Sequence, residues 1–403
     1  MAIDNSLKLT RTRYTVKYME SFYPFFLIVF SGVFFSMLSI RTHIPWAVML
    51  IIGGVLFGPS VLNLLTIDPT IDFIGQVGLV FLMFMAGLET KVSQFKEFQK
   101  RLLLLAFING FVPFLAGFSL VLLLGYEFVT ALVVGVIFIS SSVAVVIPTL
   151  EVTGMLRTKL GQSVVITTVL QDIVSLVLLS LLLQSVDPIT EVPLYVFYPV
   201  LLGVLVGLRL LIPKLREWVV SVTQDSPGLF QLEFRSPFLL LIGTVIAFEL
   251  LGLHPIVAGF FSGLVLADSI KSKILKEKIQ TISYGIFIPT FFIVVGLQTD
   301  VSVFQNVGAF LFVVILLVCT LVVSKYVSGY VAARFSGFDA TESNFFAATS
   351  LPQLSTTLAT AFVAFNLGLI DQTLLTSLVM LSVTPVLLSP ILIRRYANQL
   401  QTE

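Results

Sequence analysis

The chain has 403 residues, of which 57% are hydrophobic and only 11% charged, and its formal net charge is +1. A charged share under half of the ~25% usual in soluble domains excludes a water-soluble globule, and the near-neutral balance offers nothing to nucleic acid. Two histidines and one cysteine, Cys319, exclude an intrachain disulfide and a zinc-based enzyme, and no phosphate-binding loop or nucleophile triad is present.

What remains is an all-α polytopic membrane protein. Residues 1–20 form a charged N-terminal tail without a small-residue cleavage site, so they are expected to be retained. Thirteen apolar spans follow, at 21–40, 44–60, 71–90, 102–124, 128–150, 158–184, 193–213, 236–252, 255–268, 280–298, 304–333, 342–366 and 372–393. The transmembrane domain therefore covers 21–395, and a short tail, 396–403, follows it. Lysines and arginines gather after the odd-numbered spans, while Asp68, Glu127, Asp187, Glu191, Asp300 and Asp371 occupy the opposite loops. The positive-inside rule then places the C-terminus in the cytoplasm and the N-terminus outside, against the basic residues of the tail.

Internal similarity divides the chain. HIPWAVMLIIGG at 43–54 echoes HPIVAGFFSG at 254–263, and FLMFMAGLET ending at Thr90 echoes FFIVVGLQTD ending at Asp300. GML at 154–156, closing span 5, matches GLI at 368–370, closing span 12. Seven spans separate the copies, and an odd offset inverts the second relative to the first. The expectation is two six-helix repeats of inverted topology, 21–184 and 236–393, joined by a linker helix at 193–213.

Three spans carry the chemistry. Span 6 holds Gln171 and Asp172 in the middle of an apolar helix. Asp172 lies 13 residues or more from the nearest flanking charge, or about 20 Å at 1.5 Å per residue. An ionised carboxylate at that depth costs about 2.5–3.5 kcal/mol, so a cation, a proton, a partner or water must offset it. Span 5 carries Ser140, Ser141 and Ser142 at mid-depth before Pro148. Span 12 carries Gln353, Ser355 and Thr356 around Pro352. Proline and hydroxyl residues at matching depth predict two broken helices whose ends face an ion. Small hydroxyl residues also serve plain helix packing. Lys325 in span 11 either pairs with Asp172 or snorkels to the cytoplasmic interface. Glu249 is read as interfacial, and His43 and His254 as structural.

GPSVLNLL at 58–65, GLET closing span 3, SSS in span 5, LQD in span 6, GFFSGLVLADS at 259–269, FFIVVGLQTD at 291–300 and the span 11 lysine together resemble the monovalent cation:proton antiporter superfamily, in its second, Kef-type branch. The resemblance implies a homodimer in the lipid bilayer of a bacterial inner membrane, each protomer with a mobile core of two crossing broken helices. It implies exchange of K+ or Na+ for H+ by an elevator-type movement, without cofactor, and with Asp172 binding proton and cation in turn beside Gln171 and Lys325. Span 12 lacks the acidic residue common in relatives, and the resemblance to Kef-type proteins also implies a regulatory cytoplasmic domain or subunit outside these 403 residues. A gated potassium pathway and a sodium-coupled organic-solute symporter are the alternatives. Flux without proton movement would mark the first, and a larger polar cavity the second.

Overall fold

In a computed structural model, the described residues are 2–42, 44–89, 100–186, 230–250, 254–267, 273–300 and 307–402, with isolated positions between 196 and 214. The expected linker helix falls outside the described residues. All the regular structure within them is helical: α1 (Ala2–Thr42), α2 (Trp46–Phe57), α3 (Pro69–Glu89), α4 (Lys100–Leu123), α5 (Phe128–Ile139), α6 (Val143–Val152), α7 (Lys159–Val186), α8 (Phe230–Leu250), α9 (Pro255–Ala267), α10 (Lys273–Ile282), α11 (Ile288–Gln298), α12 (Val307–Phe335), α13 (Ala340–Thr349), α14 (Ser355–Asn366) and α15 (Gln372–Thr402). One π-helical turn, Ser283–Phe287, links α10 to α11. Among the described residues, seven helical stretches are long and apolar enough to cross a membrane, and four more are apolar but shorter.

Two of the expected spans are each split into half-helices. Span 5 becomes α5 and α6, separated by Ser140–Ser142, and span 12 becomes α13 and α14, separated by residues 350–354. Pro352 sits in the second break, where its missing N–H removes nothing. Pro148, by contrast, lies inside α6, so the first break is made by the three serines.

The chain divides into two compact units, residues 1–78 with 284–302, and 79–283 with 303–403. This division does not follow the expected six-helix halves. In the first unit, α11 packs on α2 through glycine. A Cβ on Gly54 would strike the Ile293 carbonyl, and one on Gly296 the Ile51 carbonyl. Without a hydrophobic drive between helices in lipid, such backbone contact is what glycine supplies, and it binds a late helix to an early one. The second unit repeats the device where α3 meets α9: a Cβ on Gly87 would strike the Phe260 carbonyl, and one on Gly263 the Phe84 carbonyl.

The second unit also holds the site. Its core at the α6 and α7 end comprises Val146, Leu150, Leu160 and Val164, with Phe345 and Phe346 from α13 and Ile393 and Ala397 from α15. Gln401 Nε2 donates to the Thr153 carbonyl at 2.8 Å, tying the end of α15 to the end of α6.

Candidate functional site

The two breaks cross and bind each other through their backbones. The Ser142 N–H donates to the Pro352 carbonyl at 2.7 Å. Gln353 Nε2 donates to the Ser140 carbonyl at 2.8 Å and the Phe138 carbonyl at 3.2 Å. Thr357 Oγ1 reaches Gln353 Oε1 and Ser140 Oγ, both at 3.3 Å. One glutamine thus satisfies two carbonyls that unwinding set free, which explains an amide in an otherwise apolar, hydroxyl-rich span. Ser140, Ser142, Gln353, Ser355, Thr356 and Thr357 are all buried.

Lys325 is 0% exposed. Its Nζ donates to the Ile139 carbonyl at 2.7 Å and to Ser141 Oγ at 3.0 Å. The snorkelling alternative is therefore overturned: the ammonium turns inward and caps the C-terminal, negative end of α5. Both of these hydrogen bonds go to the break rather than to Asp172. The ammonium still lies within electrostatic reach of the carboxylate.

Asp172 is 4% exposed and Gln171 2%. Asp172 Oδ1 is buried without a hydrogen-bond partner, while the Thr356 side chain and the Ser141 backbone N–H face the carboxylate. Gln171 Oε1 accepts from Ser141 Oγ at 3.1 Å, and Ser141 Oγ also reaches the Ser350 carbonyl at 3.0 Å. Ser142 Oγ and Gln171 Nε2 are two more buried atoms without partners. Every residue predicted for the site from the sequence therefore lies in the crossing or beside it. Ser355 is the least engaged, opening α14 next to Thr356.

Sequence reasoning missed Asn109, Ser328 and the closing role of Ser350. Asn109, fully buried in α4, accepts from Ser328 Oγ at 2.9 Å, and Ser350 Oγ donates to the Ala347 carbonyl at 2.8 Å. A lone amide in the apolar middle of span 4, and a serine one turn after the buried lysine, were the available signals.

Two broken helices crossing at mid-span beside a buried carboxylate define a secondary transporter of small ions. The chain belongs to the transmembrane sodium/hydrogen exchanger family, whose model matches residues 25–399. It is 31% identical over 382 residues to the probable Na(+)/H(+) antiporter 3 of Methanocaldococcus jannaschii, covering 93% of this chain and 97% of that protein. It is 26% identical to the Na(+)/H(+)-K(+) antiporter GerN of Bacillus cereus, covering 92% and 95%. In fold it is similar to the sodium proton antiporter MjNhaP1 from Methanocaldococcus jannaschii, with a TM-score of 0.69 at 17% identity and 97% and 99% of the two chains covered. These findings carry the antiporter resemblance and lend nothing to the Kef-type branch.

Proposed function

We propose that the chain exchanges sodium for protons across a membrane, and that Asp172 binds the two in turn. The observation that carries this reading is the carboxylate oxygen Oδ1, buried without a partner where the broken helices cross. An isolated charge there is costly, so the carboxyl group either holds a proton or ligates a cation. The Thr356 hydroxyl, which faces the carboxylate, and Ser142 Oγ, buried without a partner in the first break, are the oxygens suited to a desolvated sodium ion, a hard cation that prefers oxygen ligands. An empty, ionised Asp172 meets the full penalty of the apolar barrier, whereas a neutralised one meets much less. Movement is thereby confined to loaded states, which is the condition for obligatory exchange. The similarity to the Na(+)/H(+)-K(+) antiporter GerN supports potassium as a second cation.

Elevator-type movement, with thirteen helices in two inverted repeats, is part of the same reading. Its support is an offset of about 209 residues that relates Gly54 to Gly263, Gly87 to Gly296 and Ser141 to Ser350. Gly54 packs on the α11 backbone near Gly296 and Gly87 packs on the α9 backbone near Gly263, so the offset turns one glycine contact into the other, and Ser141 bonds to its own counterpart, Ser350. Left-handed glycines flank both broken spans, Gly125 and Gly154 around the first, Gly337 and Gly368 around the second. Homodimerisation, a bacterial inner-membrane location and a cytoplasmic C-terminus complete the reading.

The test is proteoliposome exchange followed with an internal pH dye, scanned over sodium, potassium and lithium. Asp172→Asn keeps the shape and removes the titratable group, so cation-driven proton movement should vanish while the protein stays folded. Retained exchange in that variant would refute the role of Asp172, and cation flux without proton movement would favour the channel-like alternative.

A further inference from the structure

Beside the site, α4, α5 and α7 enclose a groove of about 580 Å³, within the ~300–1,000 Å³ usual for ligand sites. Leu103, Phe107 and Phe111 from α4, Ile139 from α5, and Gln171 and Val174 from α7 line it. Leu103, Phe107, Phe111 and Val174 are exposed. Since α4 and α7 are both long and apolar enough to span a membrane, the mouth opens toward acyl chains.

Length and charge identify the occupant. From Leu103 to Phe114 the α4 wall runs 11 residues, about 16 Å, close to the ~15 Å hydrocarbon depth of one leaflet. The α4 stripe of Leu103, Phe107 and Phe114 continues one turn back to Lys100, and the α7 stripe of Leu170, Val174 and Leu178 continues back to Lys159. Both lysines are exposed at the first turns of their helices, on the side the sequence assigns to the cytoplasm.

We propose that the groove binds an acyl chain of an anionic phospholipid, with Lys100 and Lys159 holding its phosphate. The chain braces Ile139, whose carbonyl receives Lys325, and Gln171, the neighbour of Asp172, so the lipid stabilises the crossing from its membrane side. This inference is independent of which cation is exchanged.

Native mass spectrometry and melting curves test it, on the whole protein in phosphatidylcholine vesicles with and without phosphatidylglycerol. The expected result is phosphatidylglycerol retained through detergent exchange and a higher melting temperature than in phosphatidylcholine alone. Lys100→Gln and Lys159→Gln should each lower retention roughly fivefold, the equivalent of one lysine near an anionic surface. Val174→Trp, which fills the groove and leaves the lysines in place, should abolish retention. Equal retention of the two lipids, or unchanged phosphatidylglycerol binding in the double glutamine variant, would overturn the proposal. So would retention that survives Val174→Trp, or a melting shift reproduced by soluble glycerol phosphate, because the acyl chain would then have no part.

Discussion

Replacing Lys325 with methionine separates two roles that a buried ammonium beside a carboxylate can play. If it serves chiefly as the cap of α5, its loss leaves the Ile139 carbonyl without a partner, at about 1–3 kcal/mol, and removes the link to Ser141, about 1 kcal/mol more. Methionine fills similar volume and leaves no cavity, so a loss of about 2–4 kcal/mol is expected. With an unfolding entropy of ~2.1 cal/mol/K per residue over 403 residues, each kcal/mol moves the melting temperature by about 1.2 °C, giving a fall of about 2–5 °C. The decisive measurement is a double-mutant cycle with Asp172→Asn, read by melting in detergent. Because both lysine hydrogen bonds go to the break, Lys325→Met should keep the capping part of its cost when Asp172 is neutral, and the difference between the two backgrounds reads the electrostatic coupling of the two charges. If the cost disappears once Asp172 is neutral, the lysine exists for the carboxylate and the capping argument is wrong.

Ser142→Ala should leave the melting temperature within about 1 °C, since Ser142 Oγ has no protein partner, and both Ser142→Ala and Thr356→Val should raise the KM for sodium about five- to tenfold, as loss of one ligand or donor of ~1–1.5 kcal/mol implies. An unchanged KM in both would remove the hydroxyls from the cation site. Gln353→Ala frees the Phe138 and Ser140 carbonyls together and should cost about 2–4 kcal/mol and most of the exchange rate, visible as melting and as initial velocity. Gly87→Val should prevent accumulation of folded protein, because its side chain would meet the α9 backbone at Phe260; a normal monodisperse peak in size-exclusion chromatography would contradict the packing described.

The carboxylate and the breaks were legible because membranes make polar residues conspicuous: Asp172, the serine triplet and Gln353 have few competitors in so apolar a chain. The lysine's role was not, because two readings of Lys325, pairing and snorkelling, rest on the same spacing, and the true partner is a backbone carbonyl that no side-chain pattern announces. The crossing of α2 with α11 was likewise hidden. Its glycines were visible as a repeat, yet which helix each would face depends on how the copies interleave. Asn109 escaped notice for a different reason: its partner, Ser328, lies more than 200 residues away in sequence, and a single amide in an apolar span has no local signature.

Ser141 occupies a position with an arithmetic of its own. It accepts from Lys325, and its single hydroxyl hydrogen has two acceptors at nearly equal distance, Gln171 Oε1 and the Ser350 carbonyl. One arrangement ties the break to the carboxylate helix, the other to the opposite break. Switching between them needs only rotation about one bond of a buried hydroxyl, a far smaller change than the helix displacements of microseconds to milliseconds. The first break can therefore exchange its tie to the carboxylate helix for one to the opposite break with every helix left in place.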